Sequence, residues 1–124
     1  MPERIVPMIH VPDVQATADW YTSIGFDILA ANRECEGGKI DWTLLRLGQS
    51  EIMLDAGGLP SSAPRREFDL YVHVNDVNEV RTRIDGKAEI VEELHETFYG
   101  MREFIIRDCN GFWMTFGQSK STSK

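Results

Sequence analysis

The sequence has few cysteines, few basic residues and no long hydrophobic run. Its two cysteines, Cys35 and Cys109, are too few for a disulfide framework or a cysteine-rich zinc site, so we expect two free thiols. No apolar run approaches the roughly 20 residues of a membrane span, so we expect no membrane partner. The 124 residues hold 13 Lys and Arg against 20 Asp and Glu, a net charge of −7. That balance excludes an interface that follows the phosphates of a nucleic acid.

Several sequence signatures of enzymes and of export are also missing. There is no glycine-rich phosphate loop, no Gly-x-Ser-x-Gly motif and no Cys-x-x-Cys motif. The first residues, Met1–Arg4, lack the charged-then-apolar profile of a signal peptide, which favours a cytoplasmic location.

What the sequence does contain is an internal repeat. The residues His10–Val14 recur as His73–Val77, an offset of 63 residues or about half the chain. Each copy stands where alternating strand-like residues give way to a helix, with Asp13 and Asp76 as the predicted caps. Three strand-like stretches follow each helix: 26–33, 40–47 and 51–55 in the first half, and 89–94, 102–107 and 112–117 in the second.

The repeat predicts how the chain is organised. We expect a single domain, residues 1–124, made of two β-α-β-β-β modules at about residues 4–56 and 67–117. Between them, residues 56–64 are rich in glycine, proline and serine and are typical of a linker.

Motifs in both halves carry a resemblance to a known family. They are Val11–Val14, Trp20–Tyr21 and Ile24–Phe26 in the first half, and Tyr99–Phe104 and Arg107–Gly111 in the second. Together with the repeat they resemble the vicinal oxygen chelate superfamily, which includes glyoxalase I, extradiol dioxygenases and bleomycin-resistance proteins. The aromatic-Gly-x-Arg-x-Phe pattern is most similar to the bleomycin-resistance branch, although Cys109 stands where that turn usually has proline. The resemblance covers roughly residues 4–117.

The resemblance implies an α+β fold. In it, tandem modules form curved mixed sheets, or half-barrels, around a cavity, with the helices outside. Alternation along the opening strands then assigns side chains to faces. The row Phe68, Leu70, Val72 and Val74 is expected to face the helices, and the rows Asp69, Tyr71, His73 and Val6, Met8, His10 the cavity.

The family's enzymes hold a divalent metal, and the resemblance implies where its ligands would lie. The four positions are Val6, Met53, Asp69 and Thr115. Valine and methionine do not ligate a hard divalent cation and threonine is a poor ligand, whereas a catalytic metal needs about three protein ligands. We therefore expect no metal, no cofactor and no catalysis.

The histidines leave one alternative open. A rearranged metal site could use His10 and His73 with Glu103 or Asp69. The simpler interpretation is that each histidine ends its strand and forms a hydrogen bond near the helix cap.

Aromatic and acidic side chains then remain as the candidate binding groups. A tryptophan face stacks on flat rings and attracts cations, and a carboxylate supplies the opposite charge. By resemblance to bleomycin-resistance proteins, we predict a homodimer that sequesters a small, flat, cationic molecule such as an aromatic antibiotic. The residues expected to line its site are Trp113, Asp69, Trp42, Tyr71, His10, His73, Thr115, Met53 and Glu103.

Two other functions stay open at this point. One is a metal-dependent enzyme of glyoxalase or dioxygenase type whose ligands are displaced. The other is a non-catalytic sensor or interaction module, since one fold serves many functions.

Overall fold

The structure is a computed structural model that describes residues 3–120. The chain divides into two compact units, residues 1–60 (unit 1) and residues 61–124 (unit 2). Unit 1 contains β1 (Met8–Val11), α1 (Val14–Ser23), β2 (Asp27–Arg33), β3 (Ile40–Leu47) and β4 (Ser50–Ala56). Unit 2 contains β5 (Asp69–His73), α2 (Val77–Ile84), β6 (Glu89–Glu96), β7 (Met101–Arg107) and β8 (Trp113–Ser119).

Each unit folds its four strands into one mixed sheet. The strand orders are β1-β4-β3-β2 and β5-β8-β7-β6. The first strand of each unit runs parallel to the last, and the other neighbours are antiparallel. The predicted α+β class, the order β-α-β-β-β in both halves and the mixed sheets are confirmed.

The opening strand of unit 1 is shorter than the alternation of its residues suggests. β1 begins at Met8, because Pro7 has no backbone N–H to give to a strand ladder. The Pro7 carbonyl still accepts a hydrogen bond from Met53 N at 2.8 Å. Val6 therefore lies just before the strand rather than within it.

Both helices begin where the sequence predicts. Asp13 and Asp76 each accept, through Oδ1, a hydrogen bond from the backbone N–H three residues further on, at 3.0 and 3.1 Å. These bonds satisfy donors that the first turn of a helix leaves without a partner. Just after the helices, Gly25 and Gly86 have φ angles of +119° and +79°, which side-chain-bearing residues rarely adopt.

Each helix packs its apolar stripe on one face of the sheet in its own unit. The buried residues of this core are Val14, Ala18, Tyr21, Leu45 and Leu54 in unit 1, and Val77, Val80, Ile84, Phe104, Ile106, Met114 and Phe116 in unit 2. Burying one such side chain fully contributes roughly 1.5–3 kcal/mol. Burial of these apolar side chains holds each helix against its sheet. Because side chains alternate along a strand, the residues between the buried ones point to the opposite face of the sheet.

The opposite face of each sheet has no helix of its own unit packed on it in the described part of the chain, and we call it the helix-free face. In unit 2 the strand register places three rows of residues there: Asp69–Trp113–Arg107, Tyr71–Thr115–Ile105 and His73–Gly117–Glu103. In unit 1 it places two: Met8–Met53–Leu44 and His10–Asp55–Trp42. The candidate binding residues thus share the helix-free faces of their units.

Candidate functional site

The first row of unit 2 already holds a cation that belongs to the chain itself. The guanidinium of Arg65 lies over the indole of Trp113, with Cζ 4.2 Å from the ring centroid. The same guanidinium forms an ion pair with the Asp69 carboxylate through Nη2, and its Nε lies 3.4 Å from Asp69 Oδ1. The hydrogen bond to Asp69 raises the pKa of Arg65 above its ordinary value. Trp113 and Asp69 therefore act together on one planar cation.

The residue before Arg65, Pro64, is held through its carbonyl group by side chains of β7 and β8. The Pro64 carbonyl accepts a hydrogen bond from Trp113 Nε1 at 3.1 Å. Arg107 adds two more, from Nε at 3.0 Å and from Nη2 at 2.9 Å. Arg107 is itself paired with Glu89, Nη1 to Oε2, at 2.5 Å. The segment Pro64–Arg65 is thereby fastened to the strand that begins at Trp113.

The role of this segment was missed in the sequence, where residues 56–64 were interpreted as a linker. The available signal was the pair Arg65 and Arg66 after Pro64, two adjacent arginines in an acidic chain. Arg66 also stacks, with its Cζ 4.3 Å from the centroid of the Phe112 ring. Both arginines thus lie over aromatic rings near the start of β8.

Tyr71 of the second row and Glu103 of the third form a cluster with Tyr99, which lies in the turn before β7. Glu103 is only 3% exposed, and its Oε2 accepts hydrogen bonds from the hydroxyls of Tyr71 at 2.5 Å and Tyr99 at 2.8 Å. Burial and the bond to Glu103 raise the pKa of the Tyr71 hydroxyl, and the bond to Glu103 raises that of Tyr99. Both hydroxyls therefore stay protonated at neutral pH and act as donors.

Gly117 makes room for this cluster. A Cβ atom built on Gly117 would lie 2.2 Å from Tyr71 Oη and 2.8 Å from Tyr71 Cζ, closer than atoms approach without bonding. The Tyr71 ring thus crosses β8 at the one position in its path that has no side chain, and reaches Glu103 on β7. Neither Gly117 nor Tyr99 was singled out for the site from the sequence, because their relation to Tyr71 depends on strand register.

The two equivalent histidines have different surroundings. In unit 1, His10 is the last residue but one of β1, and its Nδ1 lies 2.9 Å from the carbonyl oxygen of Ala56 at the end of β4. In unit 2, the His73 ring lies 4.9 Å from the Tyr71 ring, centroid to centroid.

The remaining candidates lie on the same faces. Thr115, 9% exposed, stands between Tyr71 and Ile105 in the second row of unit 2. In unit 1, Trp42 and Met53 are half-buried on the helix-free face. The register thus shows that the Trp42 side chain points to the helix-free face.

The residues at the metal positions do not fit a divalent metal. Val6 and Met53 offer no hard donor, Thr115 is a poor one, and the Asp69 carboxylate is paired with Arg65. Among residues 3–120, no group of three or more His, Cys, Asp and Glu side chains is placed to hold a metal ion.

Neither helix in residues 3–120 has the length and apolar character needed to cross a bilayer.

Comparison with known proteins adds a family and a set of similar folds. The family model described as Glyoxalase/Bleomycin resistance protein/Dioxygenase superfamily matches residues 5–116. No curated protein matches the sequence. Among solved structures, TioX from Micromonospora sp. ML1 has a TM-score of 0.78 at 24% identity, covering 95% of this chain and 99% of that one.

Two further solved structures come from bleomycin-related proteins. A bleomycin-binding protein in complex with bleomycin has a TM-score of 0.73 at 16% identity, covering 95% of this chain and 99% of its own. A bleomycin resistance determinant encoded on transposon Tn5 has a TM-score of 0.74 at 19% identity, covering 96% and 99%. At these identities the similarity shows a shared fold.

Proposed function

The chain belongs to the Glyoxalase/Bleomycin resistance protein/Dioxygenase superfamily, and we propose that its function there is to bind a small molecule without transforming it. The ligand class is a flat, cationic aromatic molecule, of which a cationic antibiotic is one example. Its binding platform is the indole of Trp113 beside the carboxylate of Asp69, on the helix-free face of unit 2.

One observation carries this proposal, namely the position of Arg65. Its planar guanidinium stacks 4.2 Å from the Trp113 ring centroid, well within the roughly 6 Å over which a ring attracts a cation. Asp69 provides the matching negative charge at the edge of that cation. A planar cation from solution would find the same two contacts once Arg65 has moved away.

The exposure of the occupying side chain supports such an exchange. The Arg65 side chain is 57% exposed, so its ion pair with Asp69 is screened by water and weak. A ligand with a larger aromatic surface stacks more extensively on Trp113 than a guanidinium does. Competition between Arg65 and the ligand is therefore part of the proposal.

The absence of catalysis is supported by the chemistry of the side chains at the metal positions, which do not suit a divalent cation. The solved structures of bleomycin-binding proteins support a binding role only by their similar fold.

The decisive experiment is calorimetric titration of the protein with bleomycin and with a simple planar cation, 9-aminoacridine. We expect saturable binding of the planar cation that is lost in Trp113→Leu, with no chemical change in the recovered ligand. Elemental analysis of protein purified without chelator accompanies it. Stoichiometric zinc, nickel, iron or manganese would contradict the proposal and favour a metal-dependent enzyme.

The proposal includes a homodimer in the cytoplasm. The edge strand β2 supports the dimer, because it exposes its full length, including Ile28 at 42% and Leu29 at 41%. An exposed edge strand offers backbone groups and apolar side chains to a second chain. Light scattering measures the mass in solution, and cell fractionation measures the location.

A further inference from the structure

We infer that Tyr71, Tyr99 and Glu103 form a second subsite on the helix-free face of unit 2, which takes an alkylammonium group. The ligand would then carry two positive charges, one on a flat ring and one on an amine. This inference rests on the proposed function, because it concerns another part of the same ligand.

Two partly exposed tyrosines share one buried carboxylate in this cluster. Glu103 is 3% exposed, whereas Tyr71 and Tyr99 are 43% and 56% exposed. Both tyrosine hydroxyls reach down to Glu103 Oε2, at 2.5 and 2.8 Å. The two rings therefore hold their hydroxyls at the buried carboxylate while part of each ring is open to solvent.

The charge of the cluster is not balanced by a positive side chain. Among residues 3–120, no ion pair with Lys, Arg or His reaches Glu103, and its two hydrogen-bond donors are neutral phenols. A hydroxyl that donates to a carboxylate also gains electron density, which strengthens the attraction of its ring for a cation. A cation on the exposed part of either ring would thus interact with that ring and with the charge of Glu103.

Two histidines and one further carboxylate are the titratable neighbours of the cluster. The His73 ring lies 4.9 Å from the Tyr71 ring, centroid to centroid. On β6, His95 is the register partner of Glu103, and its Nδ1 lies 2.8 Å from the Glu93 carbonyl oxygen. Its Nε2 lies 3.9 Å from Glu92, a further carboxylate on this side of the cluster.

The hydrogen bonds favour an ammonium over a guanidinium. A guanidinium binds a carboxylate most strongly in a two-pronged arrangement that uses both oxygens. Glu103 is buried and its Oε2 already accepts two bonds, so this arrangement is blocked. A compact alkylammonium needs only the ring faces and the charge.

The register sets the spacing of the two subsites. Asp69 and Glu103 are separated by two inter-strand spacings and, along the strands, by four residues, which corresponds to roughly 16 Å between their Cα atoms in a flat sheet. Their side chains share one face, so a single ligand of sufficient length can contact both. A flat cation joined to an amine by an alkyl chain of about eight carbons matches this spacing.

The test compares 9-aminoacridine with its N-(8-aminooctyl) and N-octyl derivatives, which differ from each other only in the tail amine. In the wild-type protein we expect the aminooctyl compound to bind about tenfold more tightly than the octyl compound at fixed ionic strength. Glu103→Gln and Tyr99→Leu should each remove most of this gain. The gain is the ratio of the Kd values of the compounds without and with the tail amine in the same variant, so a change in the affinity for the ring alone does not enter it. Glu79→Gln, which removes an exposed acid on α2, is the matched control and should keep the gain.

The outcomes separate this inference from the proposed function. Binding of 9-aminoacridine with no gain from the tail amine overturns the ammonium subsite and leaves the proposed function intact. If none of the three compounds binds, the proposed function itself fails. Should Glu103→Gln fail to fold, Tyr99→Leu decides, because Tyr99 is exposed in the β6–β7 turn; a gain that persists in that variant overturns the subsite.

Discussion

Arg65 and Trp113 form a stacked pair in which a side chain from the segment before β5 covers the indole at the start of β8. A stacked arginine of this kind acts as a competitor for any ligand that uses the same ring. The stronger the contacts of Arg65 with Trp113 and Asp69, the more affinity a ligand loses when it displaces the arginine.

Removing the competitor should tighten binding. We expect Arg65→Ala to lower the Kd for 9-aminoacridine about fivefold, because an exposed cation–π contact and an exposed ion pair no longer have to be broken. Titration followed by tryptophan fluorescence measures the change. Arg83→Ala, which removes an exposed ion pair with Glu79, is the control and should leave Kd unchanged. An unchanged Kd in Arg65→Ala would mean that the stacked arginine only fastens the segment.

Trp113 has two separable roles, stacking and donating a hydrogen bond to Pro64. Trp113→Phe keeps an aromatic face and loses the donor, so we expect the Kd for 9-aminoacridine to rise by no more than about threefold. Trp113→Leu loses both, and we expect a rise of about tenfold or more. Calorimetry on both variants measures the difference. Equal losses in the two variants would assign the effect to the hydrogen bond instead of the ring.

The contact between Gly117 and Tyr71 predicts a steric coupling. Gly117→Ala places a methyl group 2.2 Å from the position of Tyr71 Oη, so the tyrosine must move and its bond to Glu103 breaks. We expect the free energy of unfolding to fall by about 1–3 kcal/mol. Denaturant unfolding measures this.

A second substitution checks the cause. In a Tyr71→Leu background the cost of Gly117→Ala should be much smaller, because the group with which the methyl collides is gone. Costs that simply add in the double variant would show that Gly117 serves another purpose.

The tyrosine pair predicts a loss of stability at alkaline pH. The raised pKa values of Tyr71 and Tyr99 mean that the folded state holds these protons more tightly than the unfolded state does. Their contribution is therefore fully present below the ordinary tyrosine pKa, about 10, and is lost as the pH rises from there through the folded-state values. Unfolding measured at pH 9 and pH 11 should show a larger drop in the wild type than in Tyr71→Phe/Tyr99→Phe. The same drop in both proteins would argue against this linkage.

Tyrosine absorbance gives an independent reading of the same groups. The chain has three tyrosines, and the third, Tyr21, is buried in the core of unit 1. In a Tyr21→Phe background, which leaves only Tyr71 and Tyr99, we expect the tyrosinate signal of the folded protein to appear above the pH at which free tyrosine titrates. A component that titrates near pH 10 would contradict the hydrogen bonds to Glu103.

Local signals explain how much of the fold could be predicted from the sequence. Asp13 and Asp76 each cap a helix by accepting a hydrogen bond from the backbone N–H only three residues further on. Along residues 69–73, the alternation of neighbouring residues shows which side chains point to each face of the sheet. These features depend on short stretches, and the repeat supplied a second copy of each. Pro7 is the local feature that the alternation concealed, since it shortens β1.

The site was harder to predict because its contacts join distant parts of the chain. Trp113 and Asp69 could be placed on one face from alternation alone. The contact of Arg65 with both of them depends on the path of the chain through residues 61–68, which alternation does not predict. Tyr99 lies in a turn, and only the register between β7 and β8 brings Gly117 beside Glu103. Such relations have no signature in a single sequence.

The two halves of the repeat differ at one row. Opposite His10 on the neighbouring strand stands Asp55, whereas opposite His73 stands Gly117, so only the second copy lets a tyrosine ring pass across the strand. Under the proposed function, only the second module of the repeat binds the ligand. The expected binding stoichiometry is one ligand per chain, and two in a dimer, although each chain carries two copies of the same module.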